Sequence, residues 1–148
     1  MPTFSVAVED NSIIIAVTVA NPGEFLQEPK VFTALVDTGA TTSMISPAVV
    51  EAIGAVNTGY GSYTSANGAI EETELYLLHI AVPVSEVTQG ADGGQQIGTF
   101  IRGSNLERVL LMPPPNPEDA RPVDVILGMD FLVHFHITMW AGQFVLSN

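Results

Sequence analysis

The chain contains no cysteine. That excludes disulfides, cysteine nucleophiles and cysteine-ligated zinc, and it fits a reducing compartment. Bases are also scarce: four Lys and Arg face sixteen Asp and Glu, a formal charge of −12. A surface of that sign repels phosphate backbones and anionic lipid, so neither nucleic acid nor a membrane is an expected partner. Only 14% of the residues are charged while 47% are hydrophobic. Disorder is thereby disfavoured, and 148 residues are enough to bury a core in one domain, residues 1–148. No apolar run approaches the length of a membrane span. The opening MPTFSVAVEDNS lacks the basic region and apolar run of a signal peptide. The expected location is the cytoplasm.

What is present reads mostly as strand. Ser12 to Val19, SIIIAVTV, is β-branched and bounded by Asn11 and by Asn21-Pro22-Gly23. Phe4 to Val8 alternates, and Val31 to Val36 is a further run that ends at Asp37. Ser46 to Gly54 is the best helix candidate, with Ser46 at the N-cap, Pro47 in the first turn and Gly54 at the stop. Tyr60 to Leu77 predicts an exposed hairpin with Asn67-Gly68 at its turn, and strand residues run from Glu72 to Val84. Gln89 to Gly98 reads as a flexible loop, Phe100-Ile101 and Arg108 to Met112 as short strands, and Met112 to Pro122 as irregular, Pro-rich chain. Val123 to Leu127 predicts a buried strand, Met129 to His134 a short helix, and Phe135 to Leu146 a hairpin around Ala141-Gly142. The expected class is all-β with one or two short helices.

One stretch stands apart. Ala34 to Thr42 reads ALVDTGATT, with a carboxylate directly behind three apolar residues and directly before Thr38-Gly39. Gly39 lets the backbone turn sharply, and Thr38 supplies a hydroxyl and an amide beside the acid. An acid held in this way can be partly desolvated and hydrogen-bonded, as a general acid or base requires. The triplet alone favours the plainer reading of Asp37 as a turn or cap residue. A second element, Val125 to Leu132 or VILGMDFL, combines an apolar strand, a glycine and a short amphipathic helix. Packed beside Ala34-Leu35-Val36, it would make a rigid platform under Asp37.

These motifs, in this order with a glycine-bearing hairpin between them, resemble the retropepsin-like aspartic proteases, and the likeness spans roughly Ile13 to Val145. Leu35-Val36-Asp37-Thr38-Gly39-Ala40 matches the catalytic motif, and Ile126-Leu127-Gly128 matches the structural second motif. The resemblance implies an acid-protease fold with a β-hairpin flap. It implies a homodimer that hydrolyses extended peptides without metal or other cofactor. Asp37 would be catalytic, one per subunit, and Thr38, Gly39 and Ala40 would form the active-site loop. Thr41, Tyr63 and the tip residues Ser65, Ala66, Asn67 and Gly68 would meet substrate. Retroviral members pair an acid with an arginine at the positions held here by Thr41 and Met129, so that ion pair is absent. The departure keeps open an alternative, a catalytically silent dimerisation or peptide-binding module.

Other features carry less. His134 and His136 share a face if the chain there is extended, but no third metal ligand is evident, His79 being remote in sequence. Asp130 reads as a helix-capping or surface residue and Asp124 as structural. Pro113-Pro114-Pro115 is expected to be plain loop, and Glu71, Glu72 and Glu74 a solvated face.

Overall fold

The computed structural model describes residues 3–24, 27, 30–65, 67–114 and 123–147. The strands are β1 (Thr3–Ala7), β2 (Ile14–Ala20), β3 (Lys30–Val36), β4 (Met44–Ile45), β5 (Asn57–Thr64), β6 (Ile70–Gln89), β7 (Gln95–Leu111), β8 (Val125–Leu127), β9 (His136–Trp140) and β10 (Gln143–Ser147). The helices are α1 (Pro47–Ile53) and α2 (Met129–Leu132). The protein is all-β, as the strand-rich reading predicted.

The strands β2, β3, β8, β4, β7 and β6 are hydrogen-bonded in that order, and β6 returns to pair with β2, so the sheet closes into a barrel. Its interior holds Val17, Val19, Ile45, Leu78, Ile80, Val82 and Leu127, all essentially inaccessible to solvent. Phe131 of α2 is also fully buried, so even this short helix is anchored by core packing. Outside the ring, β5 pairs with β6, and β1 joins β6 to the hairpin β9–β10. The final turn follows the sequence signal: Ala141 and Gly142 both have positive φ, 50° and 75°, the backbone a two-residue hairpin turn requires.

Helix α1 begins and ends where its capping residues predicted. The Ser46 side chain accepts a hydrogen bond from the Val49 amide, and Gly54 closes the helix in the left-handed region at φ 63°. Ser46 also binds Asp124, whose carbonyl accepts from the Ser46 amide at 2.8 Å.

Two expectations fail in one region. The loop expected at Gln89 to Gly98 is only the turn Gly90 to Gly94, closed by the Gly90 amide on the Gly94 carbonyl at 2.6 Å. The two short strands expected at 100–101 and 108–112 are one continuous strand, β7. Gly98 and Gly103 read as interruptions, yet the register with β6 runs through both, Glu86 facing Gly98 and Ala81 facing Gly103. A Cβ on Gly103 would sit 2.4 Å from the Ile80 carbonyl oxygen, so this glycine permits close strand contact. Long-range pairing has overridden local propensity. The Met112 amide still donates to the Ile45 carbonyl of β4 at 2.7 Å, β7 having ended at Leu111, and residues 115–122 of the Pro-rich segment lie outside the described residues.

Candidate active site

The site is built where two parallel strands end together. In β3 and β8, Ala34 pairs with Val125, Leu35 with Ile126 and Val36 with Leu127. Asp37 and Gly128 are therefore the first residues past the paired ends. The Asp37 amide donates to the Leu127 carbonyl at 3.0 Å, which extends the ladder by one bond and fixes the backbone of the acid. The Asp37 carboxylate is half-buried and accepts from the Gly39 amide at 2.9 Å. The Ala40 amide closes the turn on the Asp37 carbonyl at 3.2 Å. Thr38 and Gly39 are exposed at its apex.

The next residues are tied to the second motif. The Met129 amide donates to the Ala40 carbonyl at 2.8 Å, and the Asp130 amide to that of Thr41 at 3.3 Å. Backbone approaches backbone so closely that a Cβ on Gly128 would lie 2.8 Å from the Thr42 carbonyl carbon and 2.9 Å from the Ala40 oxygen. Only glycine fits there.

Asp130, expected as a helix-capping or surface residue, lies in the first turn of α2 and accepts from the Phe131 amide at 2.9 Å, but it does more than cap. It is a half-buried acceptor rather than a surface residue. Its two carboxylate oxygens lie 3.1 and 3.0 Å from the Ser43 amide nitrogen, and Oδ1 also takes the Ser43 hydroxyl at 2.6 Å. Ser43, which the sequence reading did not single out, is fully buried and accepts from the Gly128 amide at 3.0 Å. A serine six positions after the Asp37 motif resembles any loop serine, and its partners stand more than 80 residues downstream, separated from it by 85 and 87 positions.

A cavity of about 800 Å³ opens above Asp37. One wall is the loop from Gly39 to Thr42 with Met44, Leu110 and Ile126; the other is the β5 end of the β5–β6 hairpin, Ser62 to Ser65; Pro113 lies at the margin. Asp37 is the only carboxylate among the described residues that line it. Of the residues expected to meet substrate, Thr41, Tyr63 and Ser65 line the cavity. Asn67 and Gly68 sit in the exposed turn and do not, and Ala66 lies outside the described residues. In the second motif, Ile126 reaches the cavity while Leu127 and Gly128 are buried behind it.

At the base of the hairpin, Tyr76 is buried and its hydroxyl binds Glu74. Burial pushes its phenol up to about 12, with the bond to Glu74 acting in the same direction. The paired-histidine idea does not survive: His134 lies in the turn after α2 and only His136 is in a strand, so the chain is not extended through both. Among the described residues no group of three metal-ligating side chains assembles.

The sequence matches the aspartyl protease family model over residues 17–131, which takes in β2, the Asp37 loop, the hairpin and the second motif. No curated protein and no solved structure matches the chain. With most of its length matched, the chain belongs to the aspartyl protease family.

Proposed function

We propose that this member of the aspartyl protease family is the single-domain subunit of a homodimeric endopeptidase, and that Asp37 is its catalytic residue. One observation carries the reading. A half-buried carboxylate, held by its own loop, is the only one among the described residues that line a cavity of about 800 Å³, bounded on one side by a hairpin. Acid–base hydrolysis through carboxylates needs two of them, and a two-fold axis through the Asp37 loops supplies the second.

The chemistry follows from that pairing. Two adjacent carboxylates do not both ionise easily, so they share one proton and titrate as a pair. The ionised Asp37 takes a proton from a water held between the two, and the water oxygen bonds to the scissile carbonyl carbon. The protonated Asp37 polarises the carbonyl oxygen and stabilises the tetrahedral diol that forms. Proton transfer to the amide nitrogen then lets the C–N bond break, releasing a carboxylic acid and an amine. Thr38 and Gly39, exposed at the loop apex, meet the partner loop and the substrate backbone. The hairpin acts as a flap, with Tyr63 and Ser65 on its inner side, and closes over bound peptide to exclude water. The cysteine-free chain suits the reducing cytoplasm, where fractionation would find it.

The test is cleavage of a diverse peptide library, read by mass spectrometry across a range of pH, with Asp37→Asn beside the native chain. Sedimentation of the same samples gives the assembly state. Cuts made by the native dimer and lost in the variant are expected. A native dimer that cuts nothing would transfer the reading to a silent peptide-binding module.

A further inference from the structure

We infer that Ser43 and Asp130 are positioning residues for the reaction proposed above, holding the Asp37 loop from behind through an obligate acceptor chain; this rests on that functional reading. The direction of each hydrogen bond is forced. The Gly128 amide can only donate, so Ser43 Oγ accepts from it, at 3.0 Å. The Ser43 hydroxyl proton is then committed to Asp130 Oδ1, at 2.6 Å. The Ser43 amide is a second donor to this carboxylate, facing both oxygens at 3.1 and 3.0 Å, and the Phe131 amide a third, at 2.9 Å on Oδ1. Among the described residues every partner of this carboxylate is a donor, and both oxygens accept. An asparagine does not reproduce it, because either orientation of the amide sets an NH2 group against the Ser43 N–H in place of an acceptor.

A capping role alone does not account for the arrangement. A cap for α2 needs the Phe131 amide and nothing on the other motif. Here three of the four contacts run to Ser43, which is 0% exposed and belongs to the chain leading from Asp37 into β4. Together with the Met129 and Asp130 amides on the Ala40 and Thr41 carbonyls, the chain pins the loop along its length to the start of α2. The carboxylate of Asp37 projects from the front of that loop into the cavity. Loosening the back displaces the front, and a misplacement of about 1 Å in an active site can cost on the order of 10²-fold in rate.

The experiment compares native protein with Ser43→Ala, Asp130→Asn and the double variant, after circular dichroism and sedimentation establish equal folding and assembly. If Ser43→Ala does not fold, Asp130→Asn, at a half-buried position, carries the test. On a peptide that the native chain cleaves, kcat is expected to fall about 10²-fold in each single variant while KM stays within about threefold. The double variant is expected to lose no more than the worse single one, as members of one chain of bonds do. Native-state hydrogen exchange is expected to show the Ser43, Gly128 and Met129 amides opening about tenfold faster, with Ile80 and Val82 in the barrel unchanged. Native-like kcat in both variants, losses that multiply in the double, or faster exchange spread evenly over the barrel would each overturn the inference. A native chain that cleaves no peptide defeats the functional reading itself, whereas cleavage that both variants retain defeats only the positioning role.

Discussion

The two walls of the cavity are built on opposite plans. The wall that carries Asp37 is bonded backward into the barrel: its amides and carbonyls engage Leu127, Met129 and Asp130, and the Ser43 hydroxyl takes the Gly128 amide. Among the described residues, the tip of the β5–β6 hairpin is bonded only to itself. There the Ser65 amide meets the Ala69 carbonyl at 2.8 Å, the Gly68 amide meets the Ser65 carbonyl at 2.9 Å, and Asn67 Oδ1 takes the Ala69 amide at 3.0 Å. Those turn residues are exposed or half-exposed, whereas Ser43 and Gly128 are buried. Opening the tip breaks no core contact, so its local free-energy cost is small; opening the floor unpairs buried polar groups. One wall is suited to holding reacting atoms still and the other to admitting and covering a peptide.

The strongest test of that contrast is at the front of the floor. Asp37→Asn removes the acid and is expected to lower kcat by at least about 10²–10⁴-fold with the fold intact, checked by peptide cleavage beside thermal unfolding. Next is Gly128→Ala, which forces a methyl group into the backbone of Thr42 and Ala40. A loss of about 1–3 kcal/mol of stability is expected, read by urea unfolding, with cleavage reduced beyond what that loss explains. On the other wall, Tyr63→Ala removes a ring that lines the cavity without touching the floor. It is expected to raise KM several-fold, with unfolding changed by less than about 1 kcal/mol; an equal fall in kcat would mean the hairpin shares in positioning the chemistry.

The effect with no expected consequence for cleavage is where hairpin meets barrel. Tyr76 pairs across to Asn57 in the hairpin and to Val109 in the barrel, and its phenol is pushed up to about 12 by burial first and by Glu74 second. The folded state favours the neutral phenol. Its contribution is complete below the unfolded value near 10 and disappears as pH rises through 12, up to about 2–3 kcal/mol in all. Tyr76→Phe is expected to flatten the loss of stability between those two values, and to cost about 1 kcal/mol at neutral pH through the lost bond to Glu74. Unfolding measured across the alkaline range checks both.

Much of the barrel was legible in advance because its signals are local. Ser46, Pro47 and Gly54 mark a helix by their own backbone preferences, and Ala141-Gly142 marks a turn in the same way. Asp37 stood out because a carboxylate directly after an apolar run is chemically odd, and the VILG stretch named its neighbouring strand. The strand β7 was misread as fragments because Gly98 and Gly103 are poor strand formers on their own, and only the facing strand β6 makes them extended. The tie from Asp130 to Ser43 was missed for a related reason: an acid in the first turn of a short helix is ordinary, and this bond spans 87 positions.

The amino-acid sequence by itself determined an all-β chain, the ends of α1, and the pairing of an acid-bearing loop with a glycine motif. Each of these rests on conformational preferences a few residues wide, or on apolar runs that must be buried. Tertiary structure alone decided how far β6 and β7 extend, which hairpin residues face the cavity, and that Ser43 and Asp130 stand behind Asp37. Those features depend on partners distant along the chain, brought together only when the barrel closes and water is excluded from the groups between them.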